Sequence, residues 1–183
     1  MAFVDLAKKR LVLKVLLSGP PAVGKTVRLD QIGAVGRRHN FGSGLMGPTQ
    51  MAVLPLEVQR EGRPVEIELY EWHGPEKADV RAKGIFVGVD GVVYLADARE
   101  DRYIDSVRQF QFLVDQMGKS KMARLPALLL MGRLDEGLLR LPSFEGKLFG
   151  PTWSDKLEVP YDQPEPLLEA LRVYGEVMLA RAL

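Results

Sequence analysis

Short apolar runs alternate with longer amphipathic stretches along this chain. Residues 11–17, Leu-Val-Leu-Lys-Val-Leu-Leu, are almost continuously apolar and stop at Ser18-Gly19-Pro20, the pattern of a strand buried on both faces of a parallel sheet. Gly91 to Asp97 and Ala127 to Met131 read the same way, each giving out into a polar loop. Between them, Tyr103, Val107, Phe110, Val114 and Met117 recur at alternating spacings of four and three, which lays one apolar stripe along a helix. Leu167, Leu171, Tyr174 and Met178 repeat that stripe and predict a last helix docked on the sheet. Residues 51–72 differ: Val65, Ile67 and Leu69 alternate with Glu66 and Glu68 after the turn-like Glu61-Gly62-Arg63. This period of two predicts an antiparallel hairpin with arms Met51 to Val58 and Val65 to Trp72. Residues 136–155, with Gly137, Pro142, Gly146, Gly150 and Pro151, read as a long irregular connection. Strands alternating with helices predict a three-layer α/β fold with right-handed crossovers.

Composition narrows the class. At 183 residues, 46% of them hydrophobic, residues 1–183 suffice for one domain with its own core. The 25 basic and 24 acidic side chains leave a net charge of +1 spread along the chain. That gives no electrostatic footprint for nucleic acid or anionic lipid. The absence of cysteine removes disulfides, thiolate metal sites, a cysteine nucleophile and prenyl or palmitoyl anchors, and predicts a reducing, cytoplasmic setting. No charged-then-apolar leader pattern opens at Met1, and no apolar run approaches a bilayer span, so neither export nor a membrane anchor is expected.

The densest chemical signal is Gly19-Pro20-Pro21-Ala22-Val23-Gly24-Lys25-Thr26, a full G-x-x-x-x-G-K-[ST] match. It follows a predicted buried strand and precedes a plausible helix through Leu29, Ile32 and Gly33, with Gly19, Pro21, Ala22, Val23, Gly24, Lys25, Thr26 and Val27 as the candidate nucleotide contacts. Phosphates need converging N–H donors, and a glycine-bearing loop running into a helix N-terminus supplies them with the positive end of the helix dipole. Lys25 would reach the β- and γ-phosphates, and Thr26 would offer its hydroxyl to Mg²⁺. The alternative is a Gly/Pro turn followed by an ordinary surface Lys-Thr pair.

With that loop in place, the chain resembles the small Ras-like GTPases, and among them the bacterial gliding-motility type, MglA. The resemblance spans nearly the whole chain. It is carried by Phe3 to Thr26, by Leu54-Pro55-Leu56, by Leu69-Tyr70 through Gly74, and by Gly88-Val89-Asp90-Gly91-Val92-Val93 continuing to Ala96-Asp97. It implies a P-loop NTPase with a Ras-like three-layer sandwich, a mostly parallel six-stranded sheet with one antiparallel strand, and GTP or GDP with Mg²⁺ as ligands. It places Gly74 as the γ-phosphate-reporting glycine, and Glu71, in place of the usual Asp, at a Mg²⁺-bound water. Glu71 also reads as the next polar residue of the Glu66, Glu68 series. Thr49 stands as the switch-one Mg²⁺ ligand and γ-phosphate sensor, or simply precedes an edge strand. Arg133 and Asp135 of Gly132-Arg133-Leu134-Asp135 answer the base-recognition element, with Arg133 over the base and Asp135 accepting from a guanine edge; the same residues also read as a strand-end turn.

Departures from the family pattern are as informative. Pro75 stands where the family has the water-orienting Gln, and Pro48 where MglA-like proteins carry an arginine, so both hydrolytic aids are missing. Gly132 removes the amide that would touch the base and tie its loop to the phosphate loop. The stretch Val159-Pro160-Tyr161-Asp162 does not match the family's Ser-Ala loop. His73, beside Gly74, reads as a polar loop residue rather than a substitute base, and the cluster Arg37-Arg38-His39 as an exposed helix end suited to the macrodipole. The expectation is a nucleotide-dependent switch with slow hydrolysis, its switch loops lying between Thr49 and Ala82. By resemblance its partners would be roadblock-domain regulators of the MglB type and effectors of cell polarity or motility. Two rivals stand beside it: a pseudo-GTPase scaffold, and a P-loop kinase of small substrates.

Overall fold

A computed structural model describes residues 3–5, 9–44, 47–74, 84–144, 146–148 and 152–181. The apolar run at residues 11–17 forms the centre of the sheet. Among the described residues the order is β1 (Phe3–Asp5), β2 (Arg10–Ser18), α1 (Lys25–Val35), β3 (Arg37–Gly44), β4 (Gly47–Arg60), β5 (Arg63–Glu71), β6 (Gly91–Asp97), α2 (Tyr103–Met117), α3 (Lys119–Met122), β7 (Pro126–Gly132), β8 (Thr152–Glu158) and α4 (Glu165–Arg181). The sheet runs β3-β4-β5-β2-β6-β7-β8, with β1 paired to the start of β2.

β5, β2, β6, β7 and β8 are mutually parallel, while β1 runs against β2 and β4 against both β3 and β5. The expected sheet of six strands with one antiparallel is therefore corrected, among the described residues, to eight strands with two, β1 and β4, antiparallel; β1 and β3 are the additions. The basic cluster at Arg37 begins β3 and does not end α1. Its charges find partners on neighbouring strands and on the side of α1: Arg37 reaches Glu66 at 2.6 Å, and Arg38 bonds Asp30 of α1 at 2.9 Å and Gln50 of β4 at 2.6 Å. The 136–155 stretch also needs correction. It holds a 3₁₀ turn at Leu141–Phe144 and gives way to β8 at Thr152, which extends the parallel ladder.

The stripes read from the sequence face the sheet. Leu13, Val15 and Leu17 of β2 join Leu29 and Ile32 of α1 and Leu167, Leu171, Tyr174 and Met178 of α4 in one apolar cluster. Leu16 of β2 joins Phe110, Leu113, Val114 and Met117 of α2 and Met122 of α3 in a second cluster on the other face. The result is a three-layer α/β arrangement, as alternation along β2 requires. Trp72 fixes the end of β5 against α2: its N–H donates to Leu17 O at 2.9 Å, and its ring stacks on Phe112 at 5.8 Å between centroids. The C-terminal ends of β2, β5, β6 and β7 lie along one edge, the position where open α/β sheets take ligands.

Burial pushes the hydroxyls of Tyr70, Tyr94, Tyr161 and Tyr174 above the ordinary phenol range, and at Tyr70 the bond to Glu68 adds to this. The neutral form is the one the fold favours. Their contribution to stability is therefore complete below the unfolded phenol range near pH 10 and is lost as pH rises through the higher folded values. In an alkaline titration, phenolate absorbance of the native protein is expected to lag that of protein in denaturant, then to rise together with unfolding. Coincident curves would contradict the packing described.

Candidate functional site

Three strand ends and one helix start build the site. β2 stops at Ser18, residues 19–24 turn, and α1 begins at Lys25 with Gly24 as its N-cap; Gly24 has φ 93° and no side-chain cap bond. Ala22 shares the left-handed region, with φ 60°. The first turn of α1 carries no acidic residue, so its dipole and uncapped donors are left for an external anion. Lys25 is buried, and its Nζ donates to Gly19 O at 2.9 Å and Pro20 O at 2.8 Å, which fixes the ammonium over the loop.

Opposite the loop stands Glu71, the last residue of β5, with its side chain 2% exposed. Its Oε1 accepts from the Thr26 hydroxyl at 3.4 Å and lies 3.4 Å from His73 Nδ1. Its Oε2 is buried with no hydrogen-bond partner among the described residues. Glu66 and Glu68, five and three residues before it and on the opposite face of β5, bind Arg10 instead. Glu71 is thus set apart from that series by what it faces. An orphaned carboxylate oxygen is costly unless a cation or donor completes it, and a hydroxyl beside a carboxylate is the oxygen-donor set a Mg²⁺ ion takes. Thr26 and Glu71 therefore fit the metal that the loop motif implies. Among the described residues no cluster of three or more His, Cys, Asp or Glu offers another metal site.

Between loop and strand end lies a cavity of about 390 Å³ lined by Pro21, Ala22, Gly24, Lys25, Thr26, Val27, Glu71, His73 and Arg133. Most of the site residues read from the sequence meet here. Gly19 lies beneath the loop as an acceptor for Lys25, and Val23 is buried. Gly74 is buried beside α2. Arg133, with φ 57°, lays its guanidinium across the loop: Nε donates to Ala22 O at 3.0 Å, and an ion pair to Glu136 at 2.6 Å holds it. Asp135 is exposed in the turn after β7 and is not among the described lining residues. Thr49 lies within β4 opposite Phe41 of β3, and its side chain is outside the described residues. Residues 47–60 and 63–71 are strands, so that much of the expected switch span is sheet. Pro75 and the following residues to 83 lie outside the described residues.

The loss at Gly132 is made good from a direction the sequence did not reveal. The Tyr161 hydroxyl, beyond β8, donates to Val23 O at 2.5 Å and accepts from Arg133 N–H at 3.3 Å. It ties the loop after β7 to the phosphate loop, the task expected of an amide at 132. No side chain fits at two positions beside it. A Cβ on Gly132 would overlap Val23 O and stand 3.1 Å from the Tyr161 hydroxyl, and a Cβ on Gly24 would overlap that hydroxyl. Arg28 holds the ring from behind: it is 1% exposed, its guanidinium lies 4.4 Å from the ring centroid, and it donates to Val159 O and Pro160 O. Burial draws the Arg28 guanidinium below its usual range, partly offset by Tyr161. Gln31 donates to Tyr161 O and completes the brace. In the sequence this device is marked only by Gly132 after the strand and an aromatic at 161.

On the other flank, Asp97 is fully buried at the end of β6 and takes Arg99 in a two-pronged pair at 2.9 and 2.7 Å, which raises the Arg99 pKa above its ordinary value. Ala98 N–H donates to Gly132 O at 3.0 Å, so this pair steadies the strand ends beneath the cavity. Compared with models of known protein families and with curated protein sequences, the chain matches none.

Proposed function

We propose that this chain is a P-loop, Ras-like nucleotide-binding protein that takes GTP and GDP with Mg²⁺ and works as a switch with slow intrinsic hydrolysis. The observation that carries the reading is the orphaned, buried carboxylate of Glu71 facing the Thr26 hydroxyl across a cavity floored by residues 19–26. The strand order β4-β5-β2-β6-β7-β8, with the loop leaving the central β2, supports it. The polyphosphate would lie along the loop and over the start of α1, with Lys25 donating to it. Thr26 would ligate the Mg²⁺, and Glu71 would hold a water of its shell, the metal offsetting phosphate charge there. Arg133 would flank the base with its stem, and Tyr161 keeps the two loops in register for it. Asp135, exposed in the turn after β7, is the group to select guanine.

A switch arises when the segment after Glu71 packs differently with and without the terminal phosphate, changing the surface offered to a partner. The partners proposed by resemblance are a roadblock-domain regulator of the MglB type and polarity or motility effectors, in a cytoplasmic setting. Among the described residues no helix is long and apolar enough to cross a membrane. A second reading, a pseudo-GTPase scaffold with little or no hydrolysis, is favoured by Pro48 and Pro75, which offer neither a guanidinium nor an amide. Titration with GDP, GTP and ADP, each with Mg²⁺ and with chelator, tests the binding, and phosphate release from GTP separates the two. Guanine preference with Mg²⁺ dependence supports the switch, and absence of binding by all three overturns it.

Glu71→Gln separates a metal role from a structural one. Replacing a buried carboxylate that has one unpartnered oxygen by a neutral amide relieves a desolvation cost, so the thermal midpoint of the nucleotide-free protein is expected to hold or rise. The gain in GDP affinity on adding Mg²⁺ is expected to shrink about tenfold, one charge-assisted contact being worth about 1.5–3 kcal/mol. An unchanged Mg²⁺ effect would remove Glu71 from the metal site.

A further inference from the structure

A second cavity, of about 360 Å³, adjoins the first and shares Pro21 and His73 with it. Its other walls come from the turn before α2 and from α2 itself: Arg102, Asp105, Arg108, Gln109 and Phe112. Polar groups are concentrated here for reasons the fold does not need. Gln109 is 8% exposed, and its Nε2 is buried without a hydrogen-bond partner among the described residues. An amide in that state is expensive for a core and useful only if something else accepts from it. It presses against Gly74: a Cβ there would stand 2.5 Å from Nε2 and 2.8 Å from Oε1. Arg102 reaches the other wall. Its Nη2 lies 3.4 Å from Pro21 O at the lip of the phosphate loop, and its Nη1 pairs with Asp105 at 2.9 Å, which holds the guanidinium in place.

We propose that this second cavity is the chamber from which water attacks the terminal phosphate, with Gln109 and Arg102 of the α2 region doing the work that residues 75 and 48 cannot. The proposal rests on the nucleotide reading of the neighbouring cavity and goes beyond it. A nucleotide seated along residues 19–26 with its base at Arg133 would present its terminal phosphate toward Pro21, which with His73 is common to both cavities. Gln109 then accepts from the attacking water through Oε1 and donates through Nε2 to a terminal phosphate oxygen. Arg102 offsets the charge that gathers on the transferring group. The water oxygen bonds to the γ-phosphorus, and the bond from that phosphorus to the β–γ bridging oxygen breaks. Its electron pair stays on GDP, and both water protons leave on inorganic phosphate as H₂PO₄⁻. The amide that orients water thus comes from across Gly74 instead of from the residue after it.

Single-turnover release of phosphate from GTP preloaded with Mg²⁺ is the test, with GDP affinity measured on the same preparations. Gln109→Leu and Arg102→Ala are each expected to slow release by about tenfold or more while GDP affinity stays within about threefold, because both residues act on the transition state and not on the bound diphosphate. Capture of GDP with aluminium fluoride is expected to be lost in both. If Gln109→Leu fails to fold, Gln109→Met, of similar length and without either hydrogen-bonding atom, carries the same readings. Release within twofold of the parent in both variants, or a parent that binds GTP and never releases phosphate, overturns the chamber while leaving nucleotide binding intact. A parent that binds no nucleotide overturns the underlying reading first, and the chamber with it.

Discussion

Lys25→Ala is expected to lower GDP and GTP affinity by about 10²-fold or more. The ammonium would donate to phosphate oxygens as charge-assisted bonds, each worth about 1.5–3 kcal/mol, and about 1.4 kcal/mol is tenfold in affinity. It is prepositioned for this by the carbonyls of Gly19 and Pro20, at 2.9 and 2.8 Å. Removing it also strips donors from those two carbonyls, at a cost of about 1 kcal/mol in the nucleotide-free protein, or about 2–4 °C in thermal midpoint. The contrast between a small loss of stability and a large loss of affinity is the signature of a ligand contact. Calorimetric titration with Mg²⁺-GDP beside a thermal melt of the nucleotide-free protein measures both. A fall in midpoint with unaltered affinity would make Lys25 a structural cap.

Gly132→Asn is expected to harm the protein although it restores the residue that the GTPase resemblance calls for. The new Cβ would overlap Val23 O, a backbone atom with no rotamer to yield, and crowd the Tyr161 hydroxyl. Either the phosphate loop shifts or Tyr161 is expelled, breaking its bonds to Val23 O and Arg133 N–H. Overpacking of this kind costs about 1–3 kcal/mol, and loss of the tie adds about 0.5–1.5 kcal/mol. The denaturation midpoint is expected to fall accordingly, and nucleotide affinity with it. Tyr161→Phe alone should lose only the tie, with the ring still held by Arg28 at 4.4 Å. Should Gly132→Asn match or exceed the parent in both stability and affinity, the account of Tyr161 as the replacement brace is wrong.

The two cases show what could be read along the chain. The phosphate loop was legible because its logic is local: eight consecutive residues flanked by a strand and a helix. The buried strands at 11–17, 91–97 and 127–131 and the stripe of α2 were legible because burial imposes a period on neighbouring residues. Tyr161 was not, because its partner Val23 lies 138 residues away and nothing local marks a phenol that will replace an amide. Gln109 was hidden for a related reason: it is one polar residue in an amphipathic helix, and only its packing against Gly74 distinguishes it from the exposed Gln111. β3 was misread because the charges of Arg37 and Arg38 suit a helix end as well as a strand, and Glu66, Asp30 and Gln50 decide between them only in three dimensions. Glu71 was ambiguous in sequence as the next polar residue after Glu66 and Glu68; the unbroken pleat of β5 puts it on the face of Val65, Ile67 and Leu69, where it meets the Thr26 hydroxyl.

The central claim is that the loop at residues 19–26, Thr26 and Glu71 together hold a Mg²⁺-bound guanine nucleotide. It is tested most directly by denaturing freshly purified protein and quantifying released nucleotide by chromatography, followed by titration of the stripped protein with Mg²⁺-GDP. The account predicts guanine nucleotide at close to one per chain, or recovery of that occupancy on adding Mg²⁺-GDP. Protein that carries none and takes up neither GDP nor GTP in the presence of Mg²⁺ would contradict it.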